Sequence, residues 1–193
     1  MEKEKFISAS LKESSEVKLK IEQECKTPIL NAVEMISASY RKSHKLLLCG
    51  NGGSAADCQH IATEFMIRLS HDFKRPALAA IALTTDSSNL TAGGNDIGFE
   101  NVFARNVEGL GNPGDVLLAI STSGNSANII KAVEKAKGKD IKVIGLLGGT
   151  GGKLKSQVDI PIVIPSSNVQ RIQEGHITCA HIICELVENE LYG

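Results

Sequence analysis

Tryptophan is absent from this chain, only two tyrosines and five phenylalanines occur, and aromatic residues make up 4% of its 193 positions. So few aromatic faces leave little material for stacking nucleobases or for building a cage around a cationic ligand. The formal net charge is −1, far from the positive field that nucleic acids and anionic membrane surfaces select. No apolar run approaches the roughly 18 residues of a membrane span. The charged start, Met1-Glu2-Lys3-Glu4-Lys5, lacks the apolar stretch of a signal peptide. The expected partners therefore include neither nucleic acid nor membrane. Cys-x-x-Cys pairs are missing too. The five cysteines, Cys25, Cys49, Cys58, Cys179 and Cys184, are odd in number, which argues against a disulfide framework and for a reducing, cytoplasmic setting. They read as small packing residues. Cys58 and Cys179 each precede a histidine by two positions, and a metal role there is the less favoured alternative.

What is present describes a globular α/β protein. The apolar share is 42%, and the length suffices for one domain with a sizeable core. From about Phe6 to Tyr40 the chain has no glycine and repeats apolar residues at helical spacing: Ile21, Cys25, Ile29, Val33 and Ile36. Pro28 suits the first turn of a second helix. Beyond these helices the pattern alternates. Short runs rich in Val, Ile and Leu occur at Lys45–Cys49, Ala77–Leu83, Asp115–Ile120, Lys142–Leu147 and Ile160–Ile164. Helices are expected at about Ser54–Ser70, Phe99–Leu110, Ala127–Lys137 and Val169–Tyr192, with a short helical region leading to Asn95-Asp96. Continuous apolar strands alternating with helices predict a parallel sheet covered on both faces. Ligands of such sheets bind beyond the carboxyl ends of the strands, so the loops after Cys49, Leu83 and Ile120 carry the interest. Eighteen glycines fit tight strand-to-helix turns, and neither an internal repeat nor a linker divides the chain.

Four groups of residues carry chemistry. Ser121-Thr122-Ser123-Gly124-Asn125-Ser126 lies where a strand gives way to a helix. Helix N-termini present free N–H groups and the positive end of the dipole. One cap needs one hydroxyl, and this segment supplies four, without Lys or Arg. A monophosphate held by dipoles and hydroxyls fits better than a nucleoside triphosphate, which would call for a Walker lysine. Gly50-Asn51-Gly52-Gly53-Ser54-Ala55 matches a dinucleotide-type turn, but the nearest acid after the second strand is Asp86, too distant for ribose recognition. The turn reads instead as a close approach to a sugar. His60 and Glu64, four apart, share one face of a helix and have metal-ligand spacing. Asp57 and Arg68 continue that polar stripe. In the last helix Gln173 and His181 lie about 12 Å apart along the axis, with His176 between them reading as a partly buried structural residue.

Taken together, Gly-Asn-Gly-Gly-Ser at 50–54, His60 with Glu64, Asn95-Asp96, the serine loop, and Arg171-Ile172-Gln173-Glu174 with His181 resemble the phosphoheptose isomerases of the SIS-domain superfamily. The resemblance spans nearly the whole chain. It implies a flavodoxin-like, doubly wound five-stranded sheet, residues 1–193 forming one SIS domain with 1–43 as an N-terminal helical extension. It implies a homotetramer with sites at subunit interfaces. It implies conversion of D-sedoheptulose 7-phosphate to D-glycero-D-manno-heptose 7-phosphate, the first step towards surface heptose such as that of lipopolysaccharide. Asn51, Gly52, Gly53, Asn95 and Asp96 would contact substrate, with Ser121, Thr122, Ser123 and Ser126 on the phosphate. His60, Glu64, Gln173 and His181 would hold one zinc ion per subunit, with Glu64 and Gln173 also facing substrate. Independently of the resemblance, moving a carbonyl between neighbouring carbons requires a base and an acid, and Glu64 and His181 are the candidates. Two rivals share the fold: a non-catalytic partner of the bacterial replication initiator, and a phosphosugar-sensing regulator. Glu64 and His181 together speak for an enzyme, and no DNA-binding domain accompanies the chain.

Overall fold

The computed structural model describes residues 2–69 and 74–193. Two helices come first, α1 (Lys3–Glu24) and α2 (Lys26–Arg41). The alternating part follows: β1 (Leu46–Cys49), α3 (Gly53–Met66), β2 (Ala80–Ala82), α4 (Ser87–Asp96), α5 (Val102–Leu110), β3 (Val116–Ser121), α6 (Ala127–Lys137), β4 (Lys142–Gly148), β5 (Ile160–Ile164) and α7 (Val169–Tyr192). Short 3₁₀ turns stand at Phe99–Asn101 and Lys153–Ser156. Pro28 falls in the first turn of α2, where its missing N–H costs nothing. The helix expected over Ser54–Ser70 ends at Met66 among the described residues, and Ser70 itself lies outside them.

All strand pairs are parallel, in the order β2-β1-β3-β4-β5. This is the flavodoxin-like arrangement, in which the chain leaves β1 in one direction for β2 and returns on the other side for β3. The second strand is shorter than its apolar run. Only Ala80–Ala82 pairs with Leu46–Leu48, because a four-residue β1 offers no ladder to the residues before it.

Strand side chains alternate between two cores. Leu46, Leu48, Val116, Leu118, Ile120, Ile144 and Leu146 pack against α1, α2, α3 and α7. Leu47, Cys49, Leu117, Ala119, Val143 and Leu147 pack against α5 and α6. Period-2 alternation with both faces covered makes the runs continuous in sequence. All five cysteines are buried and unpaired. Burial pushes the Cys49 and Cys179 thiols up to about 12 and raises that of Cys58, as expected of packing residues.

The anticipated partly buried His176 is fully enclosed, at 0% exposure. Its Nε2 donates to the Leu147 carbonyl at 2.9 Å. Burial pushes its imidazole from 6.5 down to about 4, against the opposing pull of that bond. The unfolded chain takes up a proton near 6.5 and the folded chain only near 4. Stability is therefore fully present above the unfolded value and is lost as pH falls between the two. The loss should reach up to about 3 kcal/mol. Urea denaturation at neutral pH and near pH 4.5 measures it, and His176→Asn should lack this component.

Candidate active site

Gly52 starts the site. It sits at the N-cap of α3 with φ +55 and ψ −120, a conformation open to glycine and strained for other residues. Nothing lies within 4 Å of where its Cβ would be, so the requirement is conformational and leaves the turn open to a ligand. Its neighbour Gly53 has a different reason. A Cβ there would come within 2.5 Å of the Gln173 amide nitrogen, so the first turn of α3 and the first turns of α7 touch.

From that contact α3 and α7 run side by side in the same direction. Two turns further along, His60 meets His181: the two Nε2 atoms are 3.4 Å apart and the rings stand 5.0 Å apart at 71°. Glu64 Oε1 lies 3.0 Å from His60 Nε2, and the carboxylate side chain is only 15% exposed. One ligand atom from each of His60, Glu64 and His181 falls within 4.8 Å of the others. Tetrahedral zinc with bonds of about 2.0–2.1 Å separates neighbouring ligand atoms by roughly 3.3 Å, so the two shorter spacings suit that ion. Two imidazole nitrogens and a carboxylate oxygen are also the right donors. Gln173 belongs to the same helix pair, two turns before His181 and against Gly53. Asp57, one turn before His60, is half-buried. Burial raises its carboxyl pKa, while the His60 and His181 imidazoles pull it down.

The serine loop lies at the carboxyl end of β3. Ser121 is buried, and its hydroxyl lies 3.2 Å from that of Ser126. Ser126 is the N-cap residue of α6, yet its side chain makes no capping bond. The simple capping role is thus unfilled; Ile129 N–H turns back to the Ser126 carbonyl at 3.1 Å, and the N–H groups ahead of it stand at the start of the helix. Gly124, at φ +65, crosses directly beneath Gly151 and has no room for a side chain. The glycine-rich turn after β4 braces the loop: Leu154 N–H donates to the Gly124 carbonyl at 3.1 Å, and Lys153 N–H donates to the Asn125 side chain at 3.1 Å. Thr122 is half-buried and Ser123 exposed, with Ser123 Oγ accepting from Asn125 N–H at 3.2 Å.

Sequence reasoning missed Asn128. It is buried on α6, and its carboxamide pairs with that of Asn51 in both directions, at 2.9 and 2.8 Å. The pair spans the crevice between β1 and β3, where the winding reverses, and joins the glycine turn to the serine loop. Its only signal in the chain was an extra asparagine just after the serines. Asn95 and Asp96 are not drawn into this network. Asn95 Nδ2 donates to Asp96 Oδ1 at 2.7 Å, and α4 buries none of its residues. Asp86, weighed above as a ribose ligand, is the N-cap of α4 and accepts from Asn89 N–H at 3.0 Å.

The comparisons with known proteins identify the family. The SIS domain family profile matches residues 11–148. A phosphoheptose isomerase of Clostridium acetobutylicum is 50% identical over 190 residues, covering 97% of this chain and 96% of its own. The solved phosphoheptose isomerase of Neisseria gonorrhoeae superposes with a TM-score of 0.90 at 42% identity, covering 96% of this chain and 98% of its own. The structure from Francisella tularensis, also of a phosphoheptose isomerase, gives 0.94 at 36% identity, with 98% and 100% covered.

The Asn51–Asn128 pair gives a direct expectation. Asn128→Ala unpairs the Asn51 amide and removes two bonds, and should destabilise the fold by about 1–3 kcal/mol. Chemical denaturation of the two proteins side by side measures it.

Proposed function

The chain belongs to the SIS domain family and, within it, to the phosphoheptose isomerases, and on that premise we propose that it converts D-sedoheptulose 7-phosphate to D-glycero-D-manno-heptose 7-phosphate. The observation that carries the reading is the cluster of His60, Glu64 and His181 two turns along the α3–α7 pair, in a chain that also has a serine loop at the carboxyl end of β3. A ketose becomes its aldose when a proton leaves C1, an enediolate forms, and a proton returns to C2. Glu64 takes the first proton. His181 is the acid that returns a proton to C2. The serine loop holds the phosphate through Ser121, Thr122, Ser123, Ser126 and the α6 N-terminus. Asn51, Gly52 and Gly53 line the sugar, with Asn95 and Asp96 approaching from α4.

His60, Glu64, His181 and Gln173 would hold a zinc ion, one per subunit. When bound, such an ion supplies Lewis-acid polarisation of the substrate oxygens. The spacing of the first three supports the assignment; Gln173 stands against Gly53, two helical turns away, and is assigned from the family resemblance. The product feeds heptose for lipopolysaccharide or a related surface glycan, and the five unpaired cysteines favour the cytoplasm. No helix among the described residues is long and apolar enough to cross a membrane.

The working form is a homotetramer. Phe6, Ile7 and Leu11 on α1 are 55%, 58% and 67% exposed, and Leu30 on α2 is 50% exposed. Large apolar side chains grouped on helices outside the sheet are a surface for another copy. Multi-angle light scattering should give four times the chain mass. A stable monomer at micromolar concentration would overturn this part of the reading.

Glu64→Gln tests the chemical step. The side chains are nearly the same size, but the amide cannot accept the proton. The expected result is a fall in kcat of at least about 10²–10⁴-fold with little change in KM. Metal content must be measured on the same samples. A metal-replete Glu64→Gln enzyme within a few fold of wild type would show that another group is the base. Chelation should abolish turnover, with zinc restoring it.

A further inference from the structure

Where α3 ends, a buried ion pair reaches into the site's framework without touching its chemistry. Arg75, between α3 and β2, faces Glu188 of α7. Both side chains are 1% exposed, and their charged atoms are 2.6 Å apart. The same guanidinium donates to the main-chain carbonyl of Glu64 at 2.7 Å and to that of Phe65 at 2.8 Å. Both carbonyls belong to the last turn of α3, where intrahelical donors run out and a cation is favoured by the helix dipole.

We infer that Arg75 and Glu188 act as a positioning clamp, fixing the backbone of the proposed base against α7 and so setting the spacing of Glu64 and His60 from His181. The chain of contacts is short. The carbonyl that Arg75 holds is Glu64's own. Glu188 lies seven residues beyond His181, two turns along the same face of α7. Gly53 against Gln173 limits the approach of the two helices at one end, and the clamp fixes them at the other. Without it, the end of α3 that carries Glu64 is free to slide or splay. A shift of about 1 Å in a catalytic group can cost roughly 10²-fold in rate, and loss of a residue that orients ligands typically weakens metal binding about 10–100-fold. A guanidinium can bridge a carboxylate and two carbonyls at once because its donors form a rigid fork. Neither Arg75 nor Glu188 is a catalytic residue.

This proposal rests on the isomerase reading, and its test separates the two. A buried pair replaced on both sides by apolar residues often keeps its stability, but the donors to the Glu64 and Phe65 carbonyls are gone. The variants are therefore Arg75→Met with Glu188→Leu, and Arg75→Lys alone, which keeps the charge but loses the fork. Each is compared with wild type by circular dichroism, by kinetics on sedoheptulose 7-phosphate, and by zinc affinity in chelator competition without substrate. The clamp predicts, for the double variant, a kcat lower by about 10²-fold, zinc affinity weaker by roughly tenfold or more, and KM nearly unchanged, because the serine loop lies elsewhere. Arg75→Lys should fall between the double variant and wild type. Wild-type kcat and zinc affinity in the folded double variant would overturn the clamp, as would losses in either variant that vanish once corrected for the folded fraction. A wild-type protein that neither binds zinc nor isomerises the sugar would instead overturn the reading of the site, and the clamp with it.

Discussion

The parallel packing of α3 on α7 governs the rest of the site. Each helix begins just beyond the carboxyl end of a strand, β1 for one and β5 for the other, so both start at the sheet's carboxyl edge and run back together across one of its faces. Cys58, Ile61, Ala62 and Phe65 on one helix, and Cys179, Ala180, Ile183, Cys184 and Val187 on the other, all join the same core. With those stripes buried, the polar residues beside them face one another across the seam. Gly53 then meets Gln173, and His60 meets His181. Helices in the opposite direction would pair the start of one with the end of the other and scatter these residues.

The sheet topology supplies the second half of the site by a different route. The reversal between β1 and β3 opens a crevice, and the Asn51–Asn128 carboxamide pair ties its two walls together. The two ends of the proposed substrate are then held by unlike physics. At the phosphate end the serine loop offers hydroxyls and a helix N-terminus, with no cationic side chain in the segment 121–126. Fixed dipoles cost little reorganisation and leave the ion solvated enough to depart. Ionisable groups are gathered at the other end, in His60, Glu64 and His181, where protons have to move.

Much of the fold was legible because its causes are local. Strands buried on both faces write themselves as apolar runs, and β4, β5, α6 and α7 lie within a residue of the expected positions. By contrast, β2 was read too long because its length is limited by pairing with β1, which a single run of residues cannot reveal. In the site, His60 with Glu64 could be read from helical spacing, and the serine loop from its place after a strand. The meeting of His60 with His181 depends on how two helices 121 positions apart are laid together, and only the family resemblance joined them in advance. Asn51 with Asn128 and Arg75 with Glu188 are 77 and 113 positions apart. Asn51 was marked by its motif alone, and Asn128, Arg75 and Glu188 are polar and unremarkable in their own segments, so no periodicity announces either pairing.

As the proposed base and a proposed zinc ligand, Glu64 would face competing demands, since a carboxylate held tightly by a metal is a poorer base. The structure offers a way to reconcile them. Oε1 lies against His60, and a carboxylate has lone pairs on both oxygens, so one oxygen would remain for the substrate if the other held an ion. That division works only if the side chain is aimed without being tied down. A guanidinium paired directly with the carboxylate would occupy the lone pairs that catalysis needs. Arg75 instead directs its charge at Glu188 and its remaining donors at main-chain carbonyls. The orienting force therefore enters through the backbone of Glu64, and the carboxylate stays out of the ion pair.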